Sequence, residues 1–151
     1  MRVPDFLSEQ HVPFETMLHP PAFTAQKRAR FLHVPGKQVA KCVLLIGPRG
    51  YLLAILPATH HVDTEKLAAV LEGPVRLADD REIADIFRDC EWGVVPPFGT
   101  LYEITTLLDT DLNPEAFIVF ETNYHAEAIR MRCRDFIELE RPRRLSFSRR
   151  T

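Results

Sequence analysis

"QVAKCVLLIG", residues 38–47, fixes the fold class and raises the functional question. Val39, Lys41, Val43 and Leu45 recur at period two, which puts them on one face of a β-strand, with Ala40, Cys42, Leu44 and Ile46 on the other. Both faces are apolar, which predicts a strand inside a sheet. Lys41 is the exception. An ammonium group in such a strand either snorkels at a sheet edge or needs an anionic or carbonyl partner, and a bound substrate is one such partner.

On its C-terminal side, "GPRG" (47–50) is a tight turn and "YLLAIL" (51–56) a second strand, so the two strands form a β-hairpin. Upstream, "VPDFLSEQHV" (3–12) predicts a short helix with Pro4 near its start, and "FETML" (14–18) a strand. Thr24 N-caps a helix to about Leu32, and "VPGK" (34–37) is a turn. Downstream, Asp63 caps a helix carrying Leu67, Val70 and Leu71 that stops at Gly73-Pro74. "VRLA" (75–78) is a short strand, and Asp79 with Glu82 forms a capping box for a helix bearing Ile83, Ile86 and Phe87. "EITTLLD" (103–109), "AFIVFE" (116–121) and "AIRMRC" (128–133) read as strands, and "RDFIELE" (134–140) as a final short helix. Strands and helices mix without strict alternation, which predicts an α+β domain around a mixed, largely antiparallel sheet.

The 151 residues suit one domain, 1–151, and 46% hydrophobic with 26% charged residues suits a packed core. A net charge of -2 gives no global attraction to nucleic acid. The charge is uneven, however. Arg130, Arg132, Arg134, Arg141, Arg143, Arg144, Arg149 and Arg150 face only Asp135, Glu138 and Glu140 in the last stretch, which reads from about residue 141 either as a solvated tail or as a contact for phosphates. Cys42, Cys90 and Cys133 follow no CxxC spacing, so neither a disulfide framework nor a structural zinc site is expected. No stretch has signal-peptide or membrane-span character; the expectation is a cytoplasmic protein without membrane contact.

The usual catalytic signatures are missing: the sequence holds no GxSxG, P-loop or GxGxxG. His60, His61 and Asp63 read as a polar loop before a helix, and no metal is expected there because adjacent residues rarely reach one ion. Lys41 and Cys42 point to opposite faces, so no lysine-stabilised thiolate is expected. "GVVPPFG" (93–99) is more informative. Its two prolines stiffen the chain, and Gly93 and Gly99 leave the backbone approachable, which suits a rigid turn or the wall of a small pocket.

These pieces, in this order, resemble the YbaK/prolyl-tRNA-synthetase-associated domain family of trans-editing aminoacyl-tRNA deacylases. The matching stretches are "HPPAFTAQ" (19–26), "VAKCVLL" (39–45), "VDTEKLAAVL" (62–71), "VRLADDREI" (75–83), "GVVPPFG" (93–99), "LLDTDL" (107–112) and "NYHAEAIRMRCRDF" (123–136). The resemblance implies a mixed, curled sheet flanked by helices. It implies that Lys41 is the polar residue of the pocket, that Gly93 through Pro97 and on to Phe98 line the aminoacyl site, that backbone near Gly93 and Gly99 holds the carbonyl oxygen, that His125 is pocket-proximal and that Thr24 lies near the mouth. Thr122 stands where a glycine is typical, and "DCEW" replaces a Gly/Pro-rich turn before Gly93, so substrate identity is open. The implied reaction is hydrolysis, without cofactor or metal, of the ester joining a small mischarged amino acid to tRNA, with proline tRNA first in mind; the family is thought to use a water activated by a substrate hydroxyl. Lys27, Arg28 and Arg30, together with Arg143 and Arg144, are the expected tRNA contacts. Two rival readings are a non-catalytic module that binds tRNA or a synthetase, and a hydrolase of another small acyl ester.

Overall fold

The computed structural model describes residues 1–19 and 38–150. Thr24 with its helix, Lys27, Arg28, Arg30 and the "VPGK" turn lie outside the described residues.

Helix α1 (Val3–Glu9) has proline in its first turn and buries Val3 and Leu7, one helical turn apart. Strand β1 (Glu15–Leu18) follows, then the hairpin of β2 (Ala40–Gly47) and β3 (Gly50–Pro57), in which Lys41 is opposite Leu56. Strand β4 (His60–Val62) leads into α2 (Thr64–Leu71), capped by the Asp63 carboxylate, which accepts from the Lys66 amide at 3.0 Å. Strand β5 (Arg76–Leu77) is followed by α3 (Asp80–Ile86), which opens with the expected Asp79–Glu82 capping box. A single tight turn, Gly99–Leu101, precedes β6 (Thr105–Asp109). Strands β7 (Phe117–Glu121) and β8 (Glu127–Arg132), helix α4 (Cys133–Glu140), and strands β9 (Arg143–Leu145) and β10 (Ser148–Arg150) complete the chain.

Among the described residues the strands form sheets of five (β5-β2-β3-β6-β9), three (β1-β8-β7) and two (β10-β4). Pairing is antiparallel except where β6 runs parallel to β3 and β9, so the sheet is mixed and largely antiparallel as expected. A parallel bridge between Val39 and Val119 joins the larger two sheets. Ala40, Ile55, Phe98, Leu108, Phe120 and Phe136 fill the main core, and Leu45, Ala54, Leu56, Leu67, Leu107 and Phe147 a second core on the other face of the five-stranded sheet.

Three expectations need correction. The arginine-rich end is not a trailing tail: β9 pairs with β6, β10 pairs with β4, and Phe147 between them is fully buried. His60 and His61 are not in a loop but in β4, whose partner is that same end of the chain. Strand β2 is flanked on both sides only where β5 meets Leu45 and Ile46; near Lys41 it is hydrogen-bonded to β3 on one side, and the Val39 bridge lies two residues back.

Asp109 locks the chain end in place. Its buried carboxylate accepts from the amides of Asp111 (2.8 Å), Phe147 (3.1 Å) and Ser148 (2.9 Å). Asp109→Ala leaves the buried Phe147 amide without a partner and is expected to cost about 3 kcal/mol in urea denaturation, through missing charge-assisted bonds and one orphaned donor. Asp109→Asn, which keeps one acceptor oxygen, should lose less.

Candidate active site at the turn between β7 and β8

The residues singled out by sequence divide into two groups, one gathered around the β7–β8 turn and one built into the core. The turn itself is tied down by buried polar groups. Thr122 and Asn123 have no exposed surface. Thr122 Oγ1 donates to Glu127 Oε1 at 2.7 Å, and both Glu127 oxygens accept from Arg2 at 2.9 Å. Asn123 Oδ1 accepts from the Val3 amide at 2.9 Å, and its carbonyl accepts from the Glu91 amide at 2.9 Å. The "TNYH" stretch thereby fastens helix α1 and the loop before Gly93 to the end of the sheet.

His125 sits on this turn. Its Nε2 donates to the Trp92 carbonyl at 2.7 Å, its Nδ1 lies 3.1 Å from Glu121 Oε2, and its own amide donates to Glu91 Oε1 at 3.1 Å. An Nε2 that donates to a carbonyl is not available as a base, so His125 positions the loop. Gly93 follows directly, with φ +85°, a region L-residues rarely enter. A side chain here would stand 4.0 Å from the imidazole, so Gly93 is chosen for conformation more than for space. The structure therefore brings Gly93 and His125 together.

Lys41 shares a strand face with Val39, and Glu121 with Val119; each stands two residues beyond the Val39–Val119 bridge. Lys41 is half-buried, and no hydrogen bond or ion pair engages its ammonium among the described residues. Burial pulls its pKa below the ordinary lysine value. Lys41 lies on the same face as Glu121, whose Oε2 is beside His125 Nδ1.

The far half of the 93–99 loop lies elsewhere. Pro96 presents its carbonyl to Cys42 Sγ at 4.0 Å, on the face of β2 away from Lys41. Pro97 is buried. Phe98, expected at the pocket wall, is completely enclosed, with its ring edge-on to Phe6, Phe120 and Phe136 at centroid distances of 5.8, 5.3 and 5.5 Å. It anchors the loop to the core. Gly99 is buried too, and a Cβ there would meet the Ile104 carbonyl at 2.2 Å and Thr106 Oγ1 at 2.3 Å, so its glycine is required by close backbone packing. Thr100 next to it donates to Glu140 through both amide and hydroxyl. Arg143 and Arg144 are exposed on β9, where neighbouring side chains take opposite faces, so they do not form one patch.

Two other chemistries are accounted for. Burial raises the Cys42 thiol far above its ordinary value and raises Cys90 and Cys133 to about 11, so all three are protonated at neutral pH and none is a thiolate nucleophile. Among the described residues, His60, Asp109 and Asp111 have ligand atoms within 4.8 Å of one another and are the group able to hold a cation. Asp109 is already engaged by three amides there, and His60 Nδ1 lies 2.8 Å from Ser148 Oγ.

The sequence matches the aminoacyl-tRNA editing domain family over residues 19–139. The chain belongs to that family. Its role is accordingly that of an aminoacyl-tRNA editing domain. It is 30% identical over 88 residues to a proline–tRNA ligase of Pseudothermotoga lettingae and 29% identical over 93 residues to that of Thermotoga neapolitana, matches that cover 58% and 61% of this chain. They span only 15% and 16% of the ligases' own length. In fold the editing domain is similar to the hypothetical protein APE2540, with a TM-score of 0.87 at 17% identity over 97% of this chain and 99% of the other. It is similar also to a protein proposed to be a trans-editing enzyme for prolyl-tRNA synthetase, with a TM-score of 0.81 at 21% identity over 97% and 94%. No helix of the described residues is long and apolar enough to cross a membrane.

The two glycines of the loop give opposite expectations. Gly99→Ala forces backbone apart and should lower stability by about 2 kcal/mol or more in thermal or urea unfolding. Gly93→Ala should lower stability by only about 1 kcal/mol, the strain of the left-handed region, while displacing the Trp92–His125 hydrogen bond.

Proposed function

We propose that this editing domain hydrolyses, without a metal, the ester of a small amino acid on the 3′ end of a tRNA, and that proline tRNA is its substrate. The observation that carries this reading is the half-buried Lys41 ammonium, unpaired among the described residues, on the strand face shared with the Glu121–His125 end of the sheet. A desolvated cation of this kind attracts an anionic oxygen strongly, either a phosphate of the terminal nucleotide or the oxyanion that forms when the ester carbonyl is attacked. The Cys90 and Cys133 thiols are held protonated by burial, and water is the nucleophile in this reading. In this scheme water adds to the carbonyl carbon, the bond to the ribose oxygen breaks, and the ribose oxygen leaves with a proton. A neighbouring hydroxyl of the substrate's own ribose accepts the proton of the attacking water and passes its own proton to the leaving ribose oxygen. Backbone at Gly93 lies against the carbonyl, and the stiff loop limits the size of side chain admitted. The relation to two proline–tRNA ligases supports proline tRNA as substrate and a synthetase as partner. The three free thiols suit a reducing cytoplasm.

Lys41→Ala should reduce deacylation of mischarged proline tRNA at least a hundredfold with little change in melting temperature, and a chelator should leave the wild-type rate unchanged. An active Lys41→Ala protein, or loss of activity to the chelator, contradicts the mechanism. Because burial lowers the Lys41 pKa, the charged form is lost at lower pH than for an exposed lysine. Once spontaneous ester hydrolysis is subtracted, the enzymatic rate should therefore fall along an alkaline limb that begins below the ordinary lysine range of about 10.4. Lys41→Arg, which stays charged, should retain partial activity and lose that limb.

The exposed arginines of β9 and β10 make no ion pair among the described residues and supply positive charge to an otherwise acidic chain. We assign Arg143 and Arg144 to tRNA phosphates on two different faces. Replacing both with glutamine should weaken tRNA binding and reduce its salt dependence by roughly 0.7–0.9 in slope for each phosphate no longer neutralised. Cleavage of a short aminoacyl nucleotide should be unchanged.

A further inference from the structure

Trp92 is the one tryptophan of the chain and is 66% exposed, more than any other aromatic side chain among the described residues. Its indole makes no hydrogen bond or ring contact among those residues. It is nevertheless held firmly at the backbone. Its carbonyl accepts from His125, the Val94 amide closes the turn by donating to the Glu91 carbonyl at 3.1 Å, and the Glu91 amide donates to the Asn123 carbonyl. A large apolar ring is thus presented to solvent on a rigid turn, one residue before Gly93. Beside it runs a groove of about 280 Å³ between α3 and the turn, whose lining includes Ile83, Phe87, Arg88, Trp92, Gly93 and Glu91, the carboxylate of Glu91 accepting from the His125 amide. Arg88 is exposed, its Nε donates to the Asp85 carbonyl at 2.9 Å, and no carboxylate pairs with its guanidinium among the described residues.

An exposed aromatic face next to an unpaired guanidinium is the combination that binds single-stranded nucleic acid: the ring stacks on a base of any identity and the cation meets the phosphate. The groove is small and carries one such ring, which fits a single nucleotide rather than a protein surface. We propose that Trp92 and Arg88 form a nucleotide subsite in which an unpaired base near the 3′ end of the RNA stacks on the indole. This rests on the deacylase reading, and it adds a binding determinant where the sequence departs from the family pattern at "DCEW". The carbonyl of the stacking residue also holds His125, so the base contact and the loop that borders the site share one rigid turn.

Because Trp92 is the sole tryptophan, its fluorescence reports the contact directly. The probe is an unacylated RNA minihelix with a single-stranded 3′ end, titrated into the whole protein while tryptophan emission and the anisotropy of a labelled RNA are both followed. Saturable quenching is expected, at the same midpoint as the anisotropy change. Trp92→Leu should weaken binding by roughly tenfold or more, Trp92→Tyr should restore most of it, and Arg88→Gln should weaken it and lower the salt slope by about 0.7. With aminoacylated minihelix, Trp92→Leu should raise KM with kcat little changed, an effect that mere destabilisation does not produce. Unchanged emission while the RNA binds, or equal affinity of Trp92→Leu, overturns the subsite even if the wild-type protein is a deacylase. Quenching and a tenfold weakening in a wild-type background that hydrolyses no ester uphold the subsite and overturn the deacylase reading instead.

Discussion

The site depends on a buried polar turn. Thr122 and Asn123 are wholly enclosed at the end of β7, and their bonds reach three other parts of the chain: Glu127 on β8, Val3 at the head of α1, and Glu91 in the loop that leads to Gly93. Buried polar groups left unpaired would cost more than they contribute when satisfied, so this turn admits essentially one arrangement of its three neighbours. His125 and Trp92 inherit their positions from it.

The loop of residues 93–99 divides its work along its length. At one end Gly93 is exposed and takes a backbone conformation that frees its peptide groups. At the other, Phe98 is locked among three phenylalanines and Gly99 is packed against β6. The enclosed residues Val94 and Pro96 through Gly99 fix Gly93, the exposed end of the loop. Lys41 is held in a comparable way. Its strand is paired along its length with β3, which fixes the Cα from which the side chain extends.

Charge is distributed by the sheet as much as by composition. The arginines after residue 140 look like one basic cluster in sequence, yet strand alternation sends Arg143 and Arg144 to opposite faces. An RNA-binding surface on this domain must therefore be assembled from several elements, with the aromatic turn at Trp92 contributing stacking rather than charge.

Elements with local signals were legible in the residues alone. The period-two run of 38–47 with its glycine turn specified the hairpin, Asp63 and the Asp79–Glu82 pair marked two helix starts, and a lysine within an apolar strand marked a position that either snorkels at an edge or meets a partner. Strand β4 is too short to show a period, and β9 and β10 were hidden by their arginines, although Leu145 and Phe147 already point inward at alternate positions. Packing alone settled that Gly93 meets solvent while Val94 and Pro96 through Gly99 are enclosed, because glycine and proline state what a backbone permits and not what packs against it. Trp92 stood in the sequence as an unassigned departure. Its exposure, its bond to His125 and the groove with Arg88 come from contacts between residues distant in the chain, which no local pattern encodes.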